Sequence, residues 1–252
     1  MTELSIMGVG LWTPQGPRLT AAGAPPAPTD AVPASALLPP ALRRRAGLLS
    51  RIVAEAVGQA ASEGGADLRH TPIVYGSAYG ETSAAVEMMG AFGEGEGLPS
   101  PITFHNSVHN APAGYLSIAT GCHAFSPSIA AGPETTAMAL IEAACLLHHR
   151  GGDVIVALGD EPVPRPLGDT DAYPPGAVAF HLRVAPGRGA RCRIGVPRRG
   201  PGQLPDLPSE LAPHPCAPAF RLAWAVARTV RGTISLGTGE ADGWSVSLEP
   251  AR

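Results

Sequence analysis

Cysteine, histidine and a pair of carboxylates are the residues of this chain whose types could do chemistry. Cys122 is followed directly by His123, and a thiol beside an imidazole is the minimal pair for acyl transfer or hydrolysis through a covalent intermediate. His105 is a second candidate base. Cys145 falls on the apolar stripe of a predicted helix and is expected in the core. A stand-alone enzyme that uses Cys122 with His123 or His105 is therefore one hypothesis.

Three other arrangements lack a partner group. His105 and His109 are four positions apart, which on a helix would put both rings on one face as metal ligands, but a third ligand is not evident. The adjacent Asp160 and Glu161 would point to opposite sides of an extended chain. Ser77 stands in no G-x-S-x-G motif. We expect no metal site and no cofactor, and we interpret the histidines as interface or core residues hydrogen-bonded to backbone.

The elements that must position these residues follow from hydrophobic periodicity. Strands are predicted at 4–11, 72–77, 127–131, 153–158 and 176–184, with further strands at 190–196, 232–237 and 243–248. Helices are predicted from Leu42 to Gly64, at 81–92, within 104–121, and at 134–149 and 219–230, with loops at 14–40, 93–101 and 197–218. Strand 176–184 is expected to turn at Pro186-Gly187 into a hairpin. The order of elements predicts an α/β layered fold whose mixed sheet is covered by helices.

Composition limits the function classes. The 252 residues are 44% hydrophobic and 15% charged, with a net charge of −3, which predicts one packed domain or one domain with a tail. The longest basic run, Arg43–Arg45, gives no track for a phosphate backbone, so nucleic acid is not an expected partner. The four cysteines have no CxxC spacing, and no window approaches roughly 18 apolar residues. We expect a soluble cytoplasmic protein that does not insert into a membrane.

Three motifs, in order along the chain, resemble the N-terminal half of the β-ketoacyl synthases, condensing enzymes of the thiolase fold. Gly8-Val9-Gly10 with Trp12-Thr13-Pro14 is similar to the family's opening strand and turn. Asn110-Ala111-Pro112-Ala113-Gly114 is similar to its N-x-x-A-G helix, which lies close to the dimer axis. Residues 127–136 and 151–161 resemble the strand, elbow and helix that carry the active cysteine, and the strand that follows.

The resemblance covers about residues 4–185, and two departures from the family pattern decide what it implies. The nucleophile position falls on Pro133, after Gly132. A ketosynthase needs a thiolate at a helix N-terminus, where backbone N–H groups and the helix dipole lower its pKa, and proline has neither a thiol nor an N–H. The second half of the family's fold, with its two catalytic histidines, has no counterpart here. The resemblance therefore implies no catalytic residue in this chain.

What the resemblance implies is a half-length, chain-length-factor-like subunit of an aryl-polyene-type type II pathway of fatty-acid or polyketide biosynthesis. Residues 1–185 would form the N-terminal half of a thiolase-like α-β-α fold with a mixed five-stranded sheet, and residues 186–252 would pack on the same domain. The chain would pair with a catalytic ketosynthase in a heterodimer, meet acyl carrier protein through that complex, and shape the acyl tunnel. The implied interface and tunnel residues are Phe104, Ser107, Val108, Asn110, Ala111 and Gly114, with Phe104 as a plug.

Overall fold

The computed structural model describes residues 3–16, 32–93, 98, 100–184, 188–237 and 243–251. Its strands are β1 Leu4–Trp12, β2 Ile73–Gly76, β3 Ser128–Ile129, β4 Asp153–Asp160, β5 Gly176–Val184, β6 Cys192–Ile194, β7 Arg198–Arg199, β8 Gly232–Ser235 and β9 Trp244–Pro250. Its helices are α1 Pro40–Arg43, α2 Leu48–Gly64, α3 Thr82–Gly93, α4 Pro101–Asn106, α5 Ala111–Thr120, α6 Thr135–Arg150 and α7 Ala217–Ala227. The predicted loops 14–40 and 93–101 and the turn at Pro186-Gly187 lie partly or wholly outside the described residues.

One mixed sheet forms the centre of the described fold. Its strand order is β3-β2-β4-β5-β1-β6-β9-β7, with β8 also paired to β9. β2 is parallel to β3 and to β4, and the other pairs are antiparallel. The five strands predicted before residue 185 are contiguous in this order, and the C-terminal strands continue the sheet from the far edge of β1. The predicted α/β class with a mixed sheet is confirmed.

Alternating side chains of the strands supply two apolar cores, one on each face of the sheet. On β4, Ile155 and Ala157 pack with α2 and α5, whereas Val154, Val156 and Leu158 pack with α6 and α7. The result is three layers, with helices on both sides of the sheet. Within the described ranges, no helix combines the length and the apolar character needed to cross a bilayer.

The Gly-Val-Gly motif of β1 lets α2 approach the sheet closely. A Cβ atom on Gly8 would collide with the carbonyl oxygen of Ala60, and one on Gly10 would collide with the carbonyl oxygen of Ala56. Only glycine leaves room for backbone at this distance. The first motif that carries the family resemblance is thus a packing device between strand and helix.

β5 does not form the predicted hairpin with residues 190–196. β4 pairs along one edge of β5 and β1 along the other, so no edge is left for the next strand in sequence. β6 pairs instead with residues 4–6 of β1 and with β9. The hairpin prediction is wrong because the strand that is adjacent in space to β5 comes from the other end of the chain.

Two other elements differ from their predictions. The helix predicted from Leu42 is broken into α1 and α2 at Gly47, whose backbone is extended (φ −61°, ψ 170°) and lies against the carboxylate of Glu81. The strand predicted at 127–131 is shorter, because β3 has two residues, and both are half-buried rather than buried. β3 forms one edge of the described sheet, so one of its sides has no neighbouring strand.

Candidate functional site

The turn between β3 and α6 is where the sequence places the replaced nucleophile. It is one 3₁₀ turn, Gly132–Glu134, that runs directly into α6. Gly132 has a φ of +53°, which glycine adopts without strain. The hydroxyl of Thr135 donates to the Gly132 carbonyl at 2.8 Å and accepts from the Ala131 N–H at 3.0 Å. Pro133 at the tip is exposed. The turn is ordered, and its outermost residue carries no nucleophilic atom.

Side chains from the C-terminal strands reach this turn. Arg199 of β7 pairs with Glu134 at 2.9 Å, and its guanidinium lies 4.4 Å from the ring centroid of Trp244 on β9. Both members of the ion pair are about half exposed, so the pair contributes about 0–1 kcal/mol. The ion pair shows that β7 lies beside the N-terminus of α6.

The segment that contains α4 and α5 carries large apolar side chains that face solvent. Phe104 on α4 and Ile118 on α5 are each 62% exposed. The name apolar surface is used below for five exposed residues, Ile102, Phe104, Val108, Ile118 and Phe125. Single exposed apolar residues are ordinary, but these five fall within residues 102–125, and clustered exposed apolar residues are typical of a surface that another molecule covers.

The six residues implied for an interface divide between surface and interior. Phe104, Val108 and Asn110 are exposed, Ser107 and Gly114 are half-buried, and Ala111 is buried. A Cβ atom on Gly114 would meet nothing within 4 Å, so α5 borders open space there. The Ser107 hydroxyl donates to the Phe104 carbonyl at 2.9 Å.

Two short helices occupy the segment in which one helix was predicted to start near Pro112. α4 ends at Asn106, residues 107–110 form a link, and α5 starts at Ala111. His105 lies on α4 and His109 in the link, so the two rings do not share a helix face. Among the described residues, no group of three or more His, Cys, Asp and Glu could hold a metal ion.

Cys122, the thiol proposed as a nucleophile, is buried. Cys122 is 3% exposed, and its Sγ donates to the Thr71 carbonyl at 3.6 Å, while the adjacent His123 is exposed. The predicted core position of Cys145 is wrong, because its side chain is exposed. Residues 140, 143 and 147 define the buried face of α6, and position 145 lies well round the helix from them. Burial leaves an acyl substrate no access to Cys122.

A buried polar cluster at the ends of β2 and β4 has no counterpart in the sequence predictions. The carboxylate of Asp160, which is fully buried, accepts through Oδ1 from the Ser77 hydroxyl at 2.6 Å and from the Tyr79 N–H at 3.0 Å. Its Oδ2 accepts from the Ala78 N–H at 3.1 Å and from the Cys216 thiol at 3.2 Å. Burial raises the pKa of Asp160, and its hydrogen bonds oppose the rise. Burial, together with the nearby carboxylate, raises the pKa of Cys216 as well.

Two further carboxylates lie beside this cluster. Glu161 accepts from the Ser83 N–H at 3.1 Å, in the first turn of α3. Glu81 accepts from the Ser50 N–H at 3.1 Å and from the Ser50 hydroxyl at 2.5 Å, in the first turn of α2. Burial raises the pKa of Glu161, and it raises the pKa of Glu81 to about 7. Each carboxylate supplies an acceptor to a helix N-terminus.

His214 has a structural place in the core. Its Nδ1 accepts from the Cys216 N–H at 2.9 Å, and its ring centroid is 5.0 Å from those of both Tyr173 and Phe220. Burial lowers the pKa of His214 to about 3. The imidazole is therefore neutral and enclosed, and it is not placed to exchange protons with a substrate.

The only sign in the sequence of the buried polar cluster around Asp160 was the adjacent pair Asp160 and Glu161 at the end of a strand.

Comparison with known families gives one match. Residues 18–228, which are most of the chain, match the model described as β-ketoacyl synthase, N-terminal domain. No curated protein sequence matches the chain.

Solved structures of similar fold are ketosynthases and their complexes. The complex of the ketosynthase ApeO with its chain length factor ApeC from Xenorhabdus doucetiae matches with a TM-score of 0.69 and 22% identity, over 98% of this chain and 100% of the matched chain. A β-ketoacyl synthase from Burkholderia phymatum STM815 matches with a TM-score of 0.64 and 14% identity, over 100% of both chains. The ishigamide ketosynthase/chain length factor matches with a TM-score of 0.60 and 14% identity, over 89% of this chain and 74% of the other. The predicted thiolase-like ketosynthase fold is thereby confirmed.

Proposed function

This chain belongs to the β-ketoacyl synthase N-terminal domain family, and on that premise we propose that it is a non-catalytic, chain-length-factor-like subunit that pairs with a catalytic β-ketoacyl-ACP synthase. The observation that carries the proposal is the turn before α6, which has an exposed proline, Pro133, at its tip. Condensation needs an activated nucleophile beside donors that stabilise an oxyanion. A proline at the nucleophile position keeps the turn and removes that chemistry.

The apolar surface is the proposed contact with the catalytic subunit. A partner that covers Phe104 and Ile118, each 62% exposed, removes apolar area from water, which is the main source of association energy. A ketosynthase is the proposed occupant because similar structures include ketosynthases in complex with chain length factors.

The edge strand β3 offers a second means of contact near the Pro133 turn. The carbonyls of Pro127 and Ile129 accept hydrogen bonds from β2, so the peptide groups at Ser128 and Ala130 point away from the sheet. An unpaired edge of this kind is a template for a strand from another chain. We propose that a strand of the ketosynthase pairs here.

Phe104 is the proposed plug of the partner's acyl tunnel. In this arrangement the growing chain stops where a bulky side chain fills the space that the next carbons would need. Displacement of about one methylene changes the free energy by about 1–3 kcal/mol, which is enough to set product length. The wider proposal includes an aryl-polyene-like fatty-acid or polyketide pathway, a cytoplasmic location and delivery of substrate by acyl carrier protein through the complex. It also includes a division of the chain at residue 186, with residues 186–252 packed on the same domain as residues 1–185.

The first test is co-purification of the chain with the ketosynthase encoded beside it. We expect a stable 1:1 complex by size-exclusion chromatography with light scattering. A monomeric chain with no affinity for that ketosynthase would reject the proposed function. Alkylation-sensitive thioester turnover by the isolated chain would instead favour an enzyme that uses Cys122.

The second test is Phe104→Ala in the reconstituted complex. We expect longer products with condensation retained, read by mass spectrometry. Leu204→Ala is the matched control, because Leu204 is also exposed (40%) but lies in the C-terminal part of the chain. Unchanged product length in the Phe104 variant would reject its role as the plug.

A further inference from the structure

We infer that Asp160 is a positioning residue for the partner-facing link between α4 and α5. From its place in the core, Asp160 fixes the turn that supports this link and connects that turn to the C-terminal segment. The geometry that supports this inference is independent of the partner. Only the affinity measurement described below rests on the proposed function.

The first connection runs from Asp160 to the turn after β2. Its carboxylate binds the Ser77 hydroxyl and the N–H groups of Ala78 and Tyr79. The Ser77 oxygen also accepts from the Gly80 N–H at 2.8 Å. The four residues 77–80 are therefore gathered around one carboxylate, which fixes the direction of the Ser77 carbonyl.

The second connection runs from that turn to the link. The Ser77 carbonyl lies 3.0 Å from Nε2 of His109. The ring of His109 packs against Tyr75, with centroids 5.6 Å apart. Gly80, with a φ of +72°, leaves the room that the imidazole needs, because a Cβ atom there would lie 3.0 Å from His109 Cδ2. The His109 ring thus packs against a turn whose conformation Asp160 fixes. The exposed residues Val108 and Asn110 precede and follow His109 in the sequence.

The third connection runs from Asp160 to the C-terminal segment. Cys216, the residue before α7, donates its thiol to Oδ2 of Asp160. Its N–H is held by His214, which is enclosed by Tyr173 and Phe220. One carboxylate therefore binds both the C-terminal segment and the turn that supports the link. A buried group with four donors tolerates loss of any of them poorly.

A carboxylate suits this position better than an amide of the same size. Two acceptor oxygens match the donors on both sides of Asp160. In Asp160→Asn the amide nitrogen would face the Ala78 N–H and the Cys216 thiol, or the Ser77 and Tyr79 donors if it turned over. Either orientation sets donors against donors, so the 77–80 turn must move.

The experiment compares Asp160→Asn with Asp153→Asn. Asp153 lies at the other end of β4 and accepts at 2.7 Å from both His181 and Arg183, so its variant also removes charge-assisted hydrogen bonds, but away from the link. The first readout is the ring ¹⁵N chemical shift of His109 in the isolated chain. We expect it to move in Asp160→Asn and to stay at the wild-type value in Asp153→Asn.

The second readout is the Kd for the catalytic ketosynthase, compared at temperatures of equal folded fraction. We expect binding about tenfold weaker for Asp160→Asn and within about twofold of wild type for Asp153→Asn. Should Asp160→Asn fail to fold, Ser77→Ala removes one hydrogen bond of the same connection, and a change in the His109 shift is again expected.

The outcomes separate the two proposals. A His109 shift unchanged in both Asp160→Asn and Ser77→Ala overturns the inference, as does an equal loss of affinity in the Asp153 and Asp160 variants. Wild-type protein that does not bind the ketosynthase rejects the proposed function, while the His109 shift still decides the role of Asp160.

Discussion

The buried carboxyl of Glu81 is expected to make the stability of this protein depend on pH. Its side chain is 3% exposed, and burial, with a further contribution from the nearby charge of Glu161, raises its pKa to about 7 from the ordinary 4.5. The folded state therefore holds this proton more tightly than the unfolded chain does. The contribution to the free energy of unfolding is fully present below about pH 4.5, falls as the pH rises to about 7, and is lost above that.

The size of the effect follows from the shift. Each pKa unit corresponds to about 1.36 kcal/mol, so a rise from 4.5 to about 7 gives a ceiling of ~3 kcal/mol. In Glu81→Gln the side-chain oxygen still accepts from Ser50, and no charge is buried at any pH. We expect the variant to be up to ~3 kcal/mol more stable than wild type at pH 8 and to match it near pH 4.5.

Urea unfolding followed by circular dichroism at pH 5 and pH 8 measures this difference. Glu249→Gln is the control, because the side chain of Glu249 on β9 is 45% exposed and pairs with Arg193. Its replacement is expected to change stability by less than about 1 kcal/mol at either pH. An offset between Glu81→Gln and wild type that is the same at both pH values would refute the reasoning, and so would a Gln variant that is the less stable protein at pH 8.

Backbone positions and thiols give three more tests. Gly10→Ala is expected to lower the free energy of unfolding by ~1–3 kcal/mol, because the added methyl group collides with α2. Gly114→Ala, in open space on α5, is expected to be neutral or up to ~1 kcal/mol stabilising. Equal losses of stability in urea unfolding of the two variants would contradict this packing. Ala130→Pro removes an N–H that points away from the sheet and is expected to weaken ketosynthase binding at least tenfold with an unchanged far-UV spectrum, so an unchanged Kd removes β3 from the contact. Native iodoacetamide labelling read by mass spectrometry is expected to modify the exposed Cys145 well before Cys122, and the reverse order would contradict the burial of Cys122.

Local patterns predict the elements of this fold better than their pairing. The apolar run at 153–158 becomes β4, because a strand covered on both faces must be apolar along its length. The hairpin after β5 is wrong, since pairing is decided by β1, about 170 positions earlier in the chain. Periodicity also places Cys145 in the core, but positions 137, 141 and 145 of α6 are reached by repeated steps of four, and each step turns about 40° further round the helix, so position 145 leaves the buried face.

The candidate site was only partly predictable for the same reason. Pro133 and the exposed Phe104 could be named because a motif and its immediate neighbours carry them. The cluster around Asp160 could not, because Ser77 and Cys216 lie far from it in sequence and no local pattern links a hydroxyl, a carboxylate and a thiol. The paired acidic residues were visible, but their partners were not.

The position of β1 between β5 and β6 has a consequence for how the chain folds. β1 pairs with residues 176–184 and 192–194, so the residues between β1 and β5 must be synthesised before β1 has either neighbour. Pairing over such a separation carries a large loop-closure entropy and is typical of slow folding. Until then Leu4, Ile6 and Leu11 of β1 lack the core that they share with α6 and α7, and transiently exposed apolar surface of this kind is what chaperones bind.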